Sequence, residues 1–308
     1  MAAWTNATLC CPKWGDPLEP PTSSGTPELP RPSRTSTDAG VLRPADGSGL
    51  GQVYRPPAGA AVAEFVERYW SVCWSTTDQP ARREVITHPA FHLTVTTVLD
   101  GSDPSCRAEV NGVVTRTFGV DLHGRGRVVG AKFRPGGFTA LTGRSASAFT
   151  DRRIALADLV PAADVNRMLA RVRTAPDEPD AAVAALEELI SGLVPPRLPP
   201  SYPLLLAVVA DMLAEHTLSH VEDVAARHGL SVRGLQRLFR QFVGVGPKWV
   251  LQRYRLHDAV TAIDSDPGAI SDLAGLAAFL GWWDQSHFTR DFTAAVGVSP
   301  HAYAARPV

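Results

Sequence analysis

The fold is decided by the stretch Val221-Glu-Asp-Val-Ala-Ala-Arg-His-Gly-Leu-Ser-Val-Arg-Gly-Leu-Gln-Arg-Leu-Phe-Arg240. Its plan recurs in Leu273-Ala-Gly-Leu-Ala-Ala-Phe-Leu-Gly-Trp-Trp-Asp-Gln-Ser-His-Phe-Thr-Arg-Asp-Phe292. Each copy has a short apolar helix, then a glycine (Gly229 or Gly281), a turn and a longer helix. Glycine accepts the left-handed backbone of such a turn, and the alanines before it let two helices cross closely. The repeat therefore predicts two helix-turn-helix units.

The longer helix of the first unit has two opposite faces. Counted at about 100° per residue, the apolar Leu235, Leu238, Phe239 and Phe242 fall opposite Arg233, Gln236, Arg237 and Arg240. A solvated surface helix is the commoner reason for such a polar face. However, residues 231–255 contain five Arg and one Lys and no Asp or Glu, whereas a solvated face normally mixes both signs. Charge of one sign favours phosphates and guanine edges as the partners of this face.

The second unit follows the same rules with fewer cations. Asp284 is predicted as the N-cap of its longer helix. With Phe288 and Phe292 turned inward, the outward positions are Ser286, Thr289, Arg290 and Thr293, so we expect this face to contribute less to affinity. Between the units, residues 246–263 predict one helix of about 25 Å that starts at Pro247. Because successive major-groove faces lie about 34 Å apart, one chain could place two recognition helices in adjacent grooves.

The motifs of this region occur together in one known family. They are Asp223-Val-Ala-Ala-Arg-His-Gly-Leu-Ser231, Leu235-Gln-Arg-Leu-Phe-Arg240, Gly244-Val-Gly-Pro-Lys-Trp249, Arg253-Tyr-Arg-Leu256, Leu280-Gly-Trp-Trp-Asp-Gln-Ser-His-Phe-Thr-Arg-Asp-Phe292 and Gly297-Val-Ser-Pro-His-Ala-Tyr303. Residues 204–303 thus resemble the DNA-binding domain of AraC/XylS-type transcriptional regulators. Two residues depart from the family pattern. Gly246 stands where Ser or Thr is more usual, and Trp283 adds bulk beside the second turn.

The resemblance implies a sequence-specific transcriptional regulator with double-stranded DNA as its partner. It leaves RNA polymerase, a small-molecule effector and a second copy of the chain open as further partners. The residues implied to contact bases are Arg233, Gln236, Arg237, Gln285, Ser286, Thr289 and Arg290. The residues predicted to contact phosphates are Arg240, Lys248, Arg253 and Arg255.

Composition limits the remaining classes of function. A length of 308 residues allows two domains, and the net charge of −1 means that the basic character is local. Cys10, Cys11, Cys73 and Cys106 form no C-x-x-C pair, so neither a zinc site nor a disulfide framework is predicted. The sequence contains no apolar run of membrane-spanning length and no signal-peptide pattern, and we expect a cytoplasmic protein without membrane contact. No cofactor is predicted.

The predicted fold class is α+β in two domains, a small N-terminal β-barrel or sandwich with flanking helices and a C-terminal all-α double helix-turn-helix. Residues 1–53 are rich in Pro, Ser, Thr and Gly and are predicted to be disordered, as a regulatory arm or an over-long gene start. A β-rich sensory or dimerisation domain follows at 54–194. A stiff linker with five prolines is predicted at 195–203, and the DNA-binding domain at 204–305.

Within the β-rich domain we predict a helix at 58–69 and strands at 70–74, 84–87, 91–99, 106–110, 113–120 and 127–133. Asn111-Gly112 is the strongest hairpin pattern among them. Helices are predicted at 162–172 and 179–192, and the second is an interface candidate or packs on its own domain. Residues 130–143 resemble a segment of the N-terminal domain of some AraC-type regulators. The residues themselves leave two interpretations open: Arg134 and Lys132 neutralise an anion, or, as preferred, Arg134 ties the glycine turn to a neighbouring carbonyl or carboxylate.

Chemistry for an enzyme is sparse in this sequence. No phosphate-binding glycine loop, nucleophile elbow or H-E-x-x-H motif occurs. His88 and His92 have metal-ligand spacing, with Asp121 and His123 as faint further ligands, but Pro89 argues against a helix there. Five aromatic residues predict either a pocket or, as the preferred interpretation, a core: Trp70, Trp74, Phe91, Phe133 and Phe138. An enzyme domain tethered to DNA and a protein-interaction module stay as alternatives to the regulator.

Overall fold

The computed structural model describes residues 42–43, 53–76, 81–100, 105–175, 178–215 and 218–307. Predictions for the other N-terminal residues lie outside these ranges. The strands are β1 Val53–Tyr54, β2 Val66–Ser75, β3 Ala81–Val85, β4 His92–Val98, β5 Ser105–Asn111, β6 Phe118–Leu122, β7 Arg125–Phe133 and β8 Arg153–Ala155. The helices are α1 Gly137–Thr142, α2 Ala162–Thr174, α3 Pro179–Ser191, α4 Ser201–Ala214, α5 Val221–Arg227, α6 Val232–Phe242, α7 Pro247–Ser265, α8 Leu273–Phe279, α9 Gln285–Val296 and α10 Pro300–Ala304.

The N-terminal part is β-rich, and the C-terminal part is helical, as the sequence predicts. One open antiparallel sheet has the strand order β1-β2-β7-β4-β5-β8, and β3 pairs with β6 in a separate two-stranded sheet. The described strands do not close into a barrel. Helices α2 and α3 pack on each other, and α3 also contacts β7. The buried side of α3, which includes Leu186 and Ile190, therefore faces its own domain.

The helix predicted at 58–69 is wrong, because residues 60–65 form turns and residues 66–69 already belong to strand β2. Val62, Phe65, Val66 and Tyr69 are all buried, as the helical spacing implied. A register shift between Val66 and Arg68, where β2 pairs with β7, places an extra residue in the strand. A bulge of this kind breaks the two-residue alternation, so Val66 and Tyr69 both face the core at a spacing that imitates a helix.

The hairpin predicted at Asn111-Gly112 is also wrong. Asn111 pairs with His92 on one side and Arg153 on the other, and the chain after Gly112 leaves the sheet. Gly112 donates its backbone N–H to the Arg152 carbonyl, and a Cβ at Gly112 would lie 1.9 Å from the Phe149 carbonyl oxygen. Glycine is therefore needed here for close backbone approach, which the sequence does not distinguish from a turn.

Two apolar cores share helix α7. The first contains the inner face of the large sheet, α2 to α6 and the start of α7, including Val250, Leu251 and Tyr254. The second contains α8 to α10 and the later part of α7, including Leu256 and Val260. The first core continues across residues 195–203, the segment predicted as a linker. Helix α4 begins within this segment, and its Tyr202 is fully buried. The Tyr202 hydroxyl donates to the Glu64 carbonyl at 2.7 Å.

The second core also includes a piece of the N-terminal stretch. Leu42 is buried there beside Ile86, and the Arg43 guanidinium forms an ion pair with Asp264 at 2.6 Å. Burial raises the pKa of Asp264, and the charge of Arg43 opposes that rise. Leu42 and Arg43 are thus ordered against α7 and α10, so the prediction of disorder over 1–53 does not hold for these two residues.

A stacked pair of histidines joins the β-rich part to α7. The His88 and His257 rings lie 3.9 Å apart and nearly parallel, and His257 Nε2 lies 3.3 Å from the Thr87 carbonyl oxygen. Burial lowers the pKa of His257 to about 3 despite that hydrogen bond. The nearby charges of Arg253 and Lys132 lower it further, so His257 is neutral at pH 7.

We expect the free energy of unfolding to fall as the pH drops from 7 to 5. The unfolded chain protonates its histidines near pH 6.5, whereas folded His257 resists protonation down to about pH 3. Protons therefore favour the unfolded state, by about 1.4 kcal/mol per pH unit below 6.5 for each such histidine. His257→Gln keeps an N–H donor for Thr87 and does not titrate. Its urea midpoint should depend less on pH than that of the wild type, and equal pH dependence would contradict the assignment.

Candidate nucleic-acid interface

The first helix-turn-helix unit consists of α5 and α6. Gly229 takes the left-handed backbone of the turn, with φ 63°. Ser231 caps α6, since its Oγ accepts the Gly234 backbone N–H at 3.0 Å. The apolar side of α6, Leu235, Leu238, Phe239 and Phe242, is buried. The helix therefore presents its other side outward.

The outward side of α6 carries the residues that the sequence predicts there. Arg233, Gln236, Arg237 and Arg240 are exposed, and so is Lys248 in the first turn of α7. No acidic residue occurs between Ser231 and Lys248 in the sequence. The result is one exposed surface of cations and an amide, which suits phosphate oxygens and guanine or adenine edges.

The second unit consists of α8 and α9 and is built in the same way. Gly281 takes φ 82°, and Asp284 caps α9 by accepting the His287 backbone N–H at 2.7 Å. Phe288 and Phe292 are fully buried, as predicted. Trp282 is buried beside Phe288, and its Nε1 donates to Asp291 at 2.9 Å. These contacts fix the turn against the body of the unit.

The outward side of α9 has a different chemistry from that of α6. Gln285, Ser286 and Arg290 are exposed and Thr289 is half-buried. These four residues line one open depression together with Thr293 and Ala294. Arg290 is the one Lys or Arg in α9, so hydrogen-bonding groups outnumber charges here, as the sequence predicts.

Helix α7 connects the two units as a rod. Its 19 residues span about 28 Å at 1.5 Å per residue. The helix is buried along most of its circumference, including Val250, Tyr254, Ala259 and Ile263. Its length is close to the spacing of about 34 Å between major-groove faces on one side of B-DNA.

The prediction that Arg253 contacts phosphate is wrong. The residue is 3% exposed, its Nη2 donates to the Thr115 carbonyl at 3.0 Å, and its guanidinium lies over the Trp249 ring. Burial lowers the pKa of Arg253 to about 10. Arg253 therefore ties α7 to the β-rich part. A helical wheel of α7 would have shown this, because Arg253 falls on the stripe of Val250 and His257.

Arg255 also has a structural place that the sequence prediction did not foresee. Its Nη1 donates to the Gly281 carbonyl at 3.0 Å and its Nη2 to the Ser219 carbonyl at 2.7 Å. The guanidinium lies 6.0 Å from the Trp282 ring centre. Arg255 thus clamps the entrance of the first unit to the turn of the second, with two guanidinium nitrogens on backbone carbonyls.

The residues considered for N-terminal chemistry have internal partners. Arg134 Nε donates to the Ala63 carbonyl at 2.7 Å, which confirms the reading that it ties a turn. Lys132 is buried and ion-paired with Glu67 at 3.1 Å. His92 Nδ1 accepts the Trp70 indole N–H at 3.1 Å. Within the described ranges, no group of three or more His, Cys, Asp or Glu side chains could hold a metal ion.

The five aromatic residues considered for a pocket separate into two sets. Phe91, Phe133 and Phe138 belong to the first core, and Phe91 stacks on Phe138 at 4.7 Å. Trp70 and Trp74 are half-buried. The Trp70 ring covers Gly130 and the Trp74 ring covers Gly126, so a side chain at either glycine would clash with the ring. The preferred interpretation as core is therefore confirmed for the phenylalanines and wrong for the tryptophans.

Comparisons with known proteins agree with this division of the chain. Residues 224–306 match a family described as a helix-turn-helix domain. Residues 52–155 match a family described as a domain of unknown function, DUF6597. No curated protein matches the chain in sequence. None of the helices in the described ranges has the length and apolar character needed to cross a membrane.

Solved structures with some similarity to the chain include three of ToxT from Vibrio cholerae. One in crystal form P21 has 10% identity, covers 83% of this chain and 98% of that one, and has a TM-score of 0.34. One from strain O395 has 10% identity, 83% and 96% coverage and a TM-score of 0.36. One bound to an unsaturated fatty acid has 10% identity, 84% and 95% coverage and a TM-score of 0.35. At these values no ligand or activity of ToxT is carried over to this chain.

Both helix-turn-helix units thus have a capped second helix with the buried and exposed faces that their motifs predict, and the family match covers α6, α7 and α9 together. Residues 224–306 of this chain are therefore a double helix-turn-helix domain of the AraC type.

Proposed function

We propose that the chain is a sequence-specific transcriptional regulator that inserts α6 and α9 into adjacent major-groove segments of one DNA duplex. The observation that carries the proposal is the pair of capped helices, each with its aromatic side buried and its polar side exposed, on the two ends of one buried rod. In a helix-turn-helix, the second helix lies in the major groove with its N-terminal residues on base edges.

The exposed residues divide into two roles by their positions. Arg233, Gln236 and Arg237 near the start of α6 are placed to read bases, and so are Gln285, Ser286, Thr289 and Arg290 on α9. Arg240, later in α6, and Lys248, at the start of α7, are placed for phosphates. Arg253 and Arg255 are not proposed to contact phosphates, because their guanidinium groups bind backbone carbonyls within the fold.

The β-rich part is proposed to modulate DNA binding through direct contact with the first unit. Thr139 Oγ1 donates to the Phe242 carbonyl at 3.3 Å, and Thr150 Oγ1 donates to the Gly244 carbonyl at 2.9 Å. Phe242 is the last residue of α6, and Gly244 follows the C-cap Val243. A shift of α1 or of the loop carrying Thr150 would therefore move a recognition helix directly. RNA polymerase, a small-molecule effector and a second copy of the chain stay predictions.

Arg237→Ala and Arg290→Ala test the base-reading roles. Each should cost about 1–3 kcal/mol of binding free energy and relax the preference at one base position, because a side chain on a base edge carries sequence information. Selection from random DNA with each variant measures both effects. The two variants should relax positions about one helical turn apart, and relaxed positions in the same half of the site would contradict the placement of the helices.

Lys248→Ala and Arg255→Ala separate phosphate contact from structural support. Lys248→Ala should weaken binding to all sequences alike and reduce the slope of log affinity against log salt by about 0.9, because one fewer counterion is released. Arg255→Ala should instead lower the free energy of unfolding by about 1–3 kcal/mol, since two carbonyls lose a charged donor. Urea unfolding and binding at several salt concentrations measure the two effects. A stable Arg255→Ala protein with a reduced salt slope would restore the phosphate role.

The double variant Thr139→Val/Thr150→Val tests the contact between the β-rich part and α6. It should weaken binding at the α6 half of the site by about 1–3 kcal/mol while the α9 half is read as before, because two hydrogen bonds that seat α6 are lost. Thr142→Val is the matched control, since its hydroxyl donates within α1 to the Phe138 carbonyl. Equal affinities of the double variant and the control for both halves would rule out this route.

A further inference from the structure

Trp283 is the most exposed large apolar residue that the described ranges contain. Its exposure is 93%, followed by 70% for Phe279 in the same unit. Tryptophan is highly buried on average in folded proteins. A side chain so fully exposed to water gains nothing from folding, so its position calls for a partner outside the folded chain.

The turn before α9 holds Trp283 outward. Trp282 is buried at 5%, packed on Phe288 and bonded to Asp291, and Asp284 caps α9. Trp283 lies between these two fixed neighbours. Trp282 takes the inward position of this pair, and Trp283 directly precedes the N-cap Asp284 and the exposed Gln285 and Ser286 in the chain.

This end of a recognition helix is the part that meets DNA. The position of Trp283 is therefore continuous with the exposed residues of α9 proposed to read bases. The α9 side of the domain carries Arg290 as its one Lys or Arg, whereas the α6 side has Arg233, Arg237, Arg240 and Lys248. A half-site with so little charge gains less from counterion release, so hydrogen bonds and apolar contacts supply a larger share of its affinity.

We propose that Trp283 is a DNA-contacting residue, whose indole packs on the deoxyribose edge of the strand that borders the α9 groove. Sugar edges are apolar and occur in every sequence, so the contact adds affinity without selecting bases. Buried aromatic residues dominate the energetics of many interfaces, and tryptophan is among the residues enriched at binding hot spots. The inference rests on the proposed function, because it requires α9 to enter a major groove.

The test measures affinity of full-length variants for DNA selected by the wild type, over a range of salt concentrations. Trp283→Ala should bind all selected sequences about ten-fold more weakly with the same salt slope, since loss of an apolar contact changes no counterion release. Trp283→Phe should recover part of the loss. Phe279→Ala is the matched control, an exposed aromatic residue on α8 that does not border the α9 N-cap, and it should bind as the wild type does.

Several outcomes would overturn the proposal. They are wild-type affinity of Trp283→Ala, a reduced salt slope in that variant, or an equal loss in Phe279→Ala. If both alanine variants keep wild-type affinity, the exposed aromatic pair belongs to a protein contact instead. Unfolding midpoints should be unchanged in Trp283→Ala, because the indole is exposed. The proposed function fails in a different way, when the wild-type chain selects no DNA sequence at all.

Discussion

The fold depends on helix α7, which is buried by both cores. Its first half packs with the β-rich part and α4 to α6, and its second half packs with α8 to α10. Such a helix cannot rotate or shift without breaking contacts on both sides, since protein interiors are close-packed. The two recognition helices are attached to its opposite ends, and their separation is therefore set by the length of α7. In the proposed function, the core therefore sets the spacing between the two DNA segments that the chain reads.

The same burial removes the independence expected for a DNA-binding domain on a linker. Arg253 reaches from α7 to the Thr115 carbonyl, and His257 stacks on His88, so the rod also contacts the β-rich part. Tyr202 carries the first core across the proline-rich segment. In the proposed function, modulation of DNA binding passes through packed side chains and through the Phe242 and Gly244 carbonyls at and just after the end of α6. The proline-rich segment is not needed for this route, because Arg253 and His257 already connect α7 directly to the β-rich part.

The C-terminal part was predictable because its determinants are local. Glycine turns, the cap Asp284 and the buried aromatic positions lie within a few residues of the structure they specify, and they appear as expected. Ser231 caps α6 in the same local way, although this cap was not predicted from the sequence. The β-rich part was predicted less well, since strands are defined by distant partners. The bulge in β2 gives the buried residues of that strand a helix-like spacing. The Asn111-Gly112 pattern predicts a turn, whereas Gly112 allows the backbone to approach Phe149 closely. The burial of Arg253 could have been predicted from its place on the stripe of Val250 and His257, but its partner Thr115 is far away in the chain and could not.

In the proposed function, the two recognition surfaces contribute to DNA binding in different ways. The α6 surface is cationic, so its contribution to affinity depends on counterion release and falls as salt rises. The α9 surface has hydrogen-bonding groups and one arginine, so its contribution is short-ranged and depends on correct docking. Long-range attraction therefore brings the α6 end to the duplex first. Because α7 fixes where α9 then lies, the second surface adds affinity only on a duplex that already fits the first.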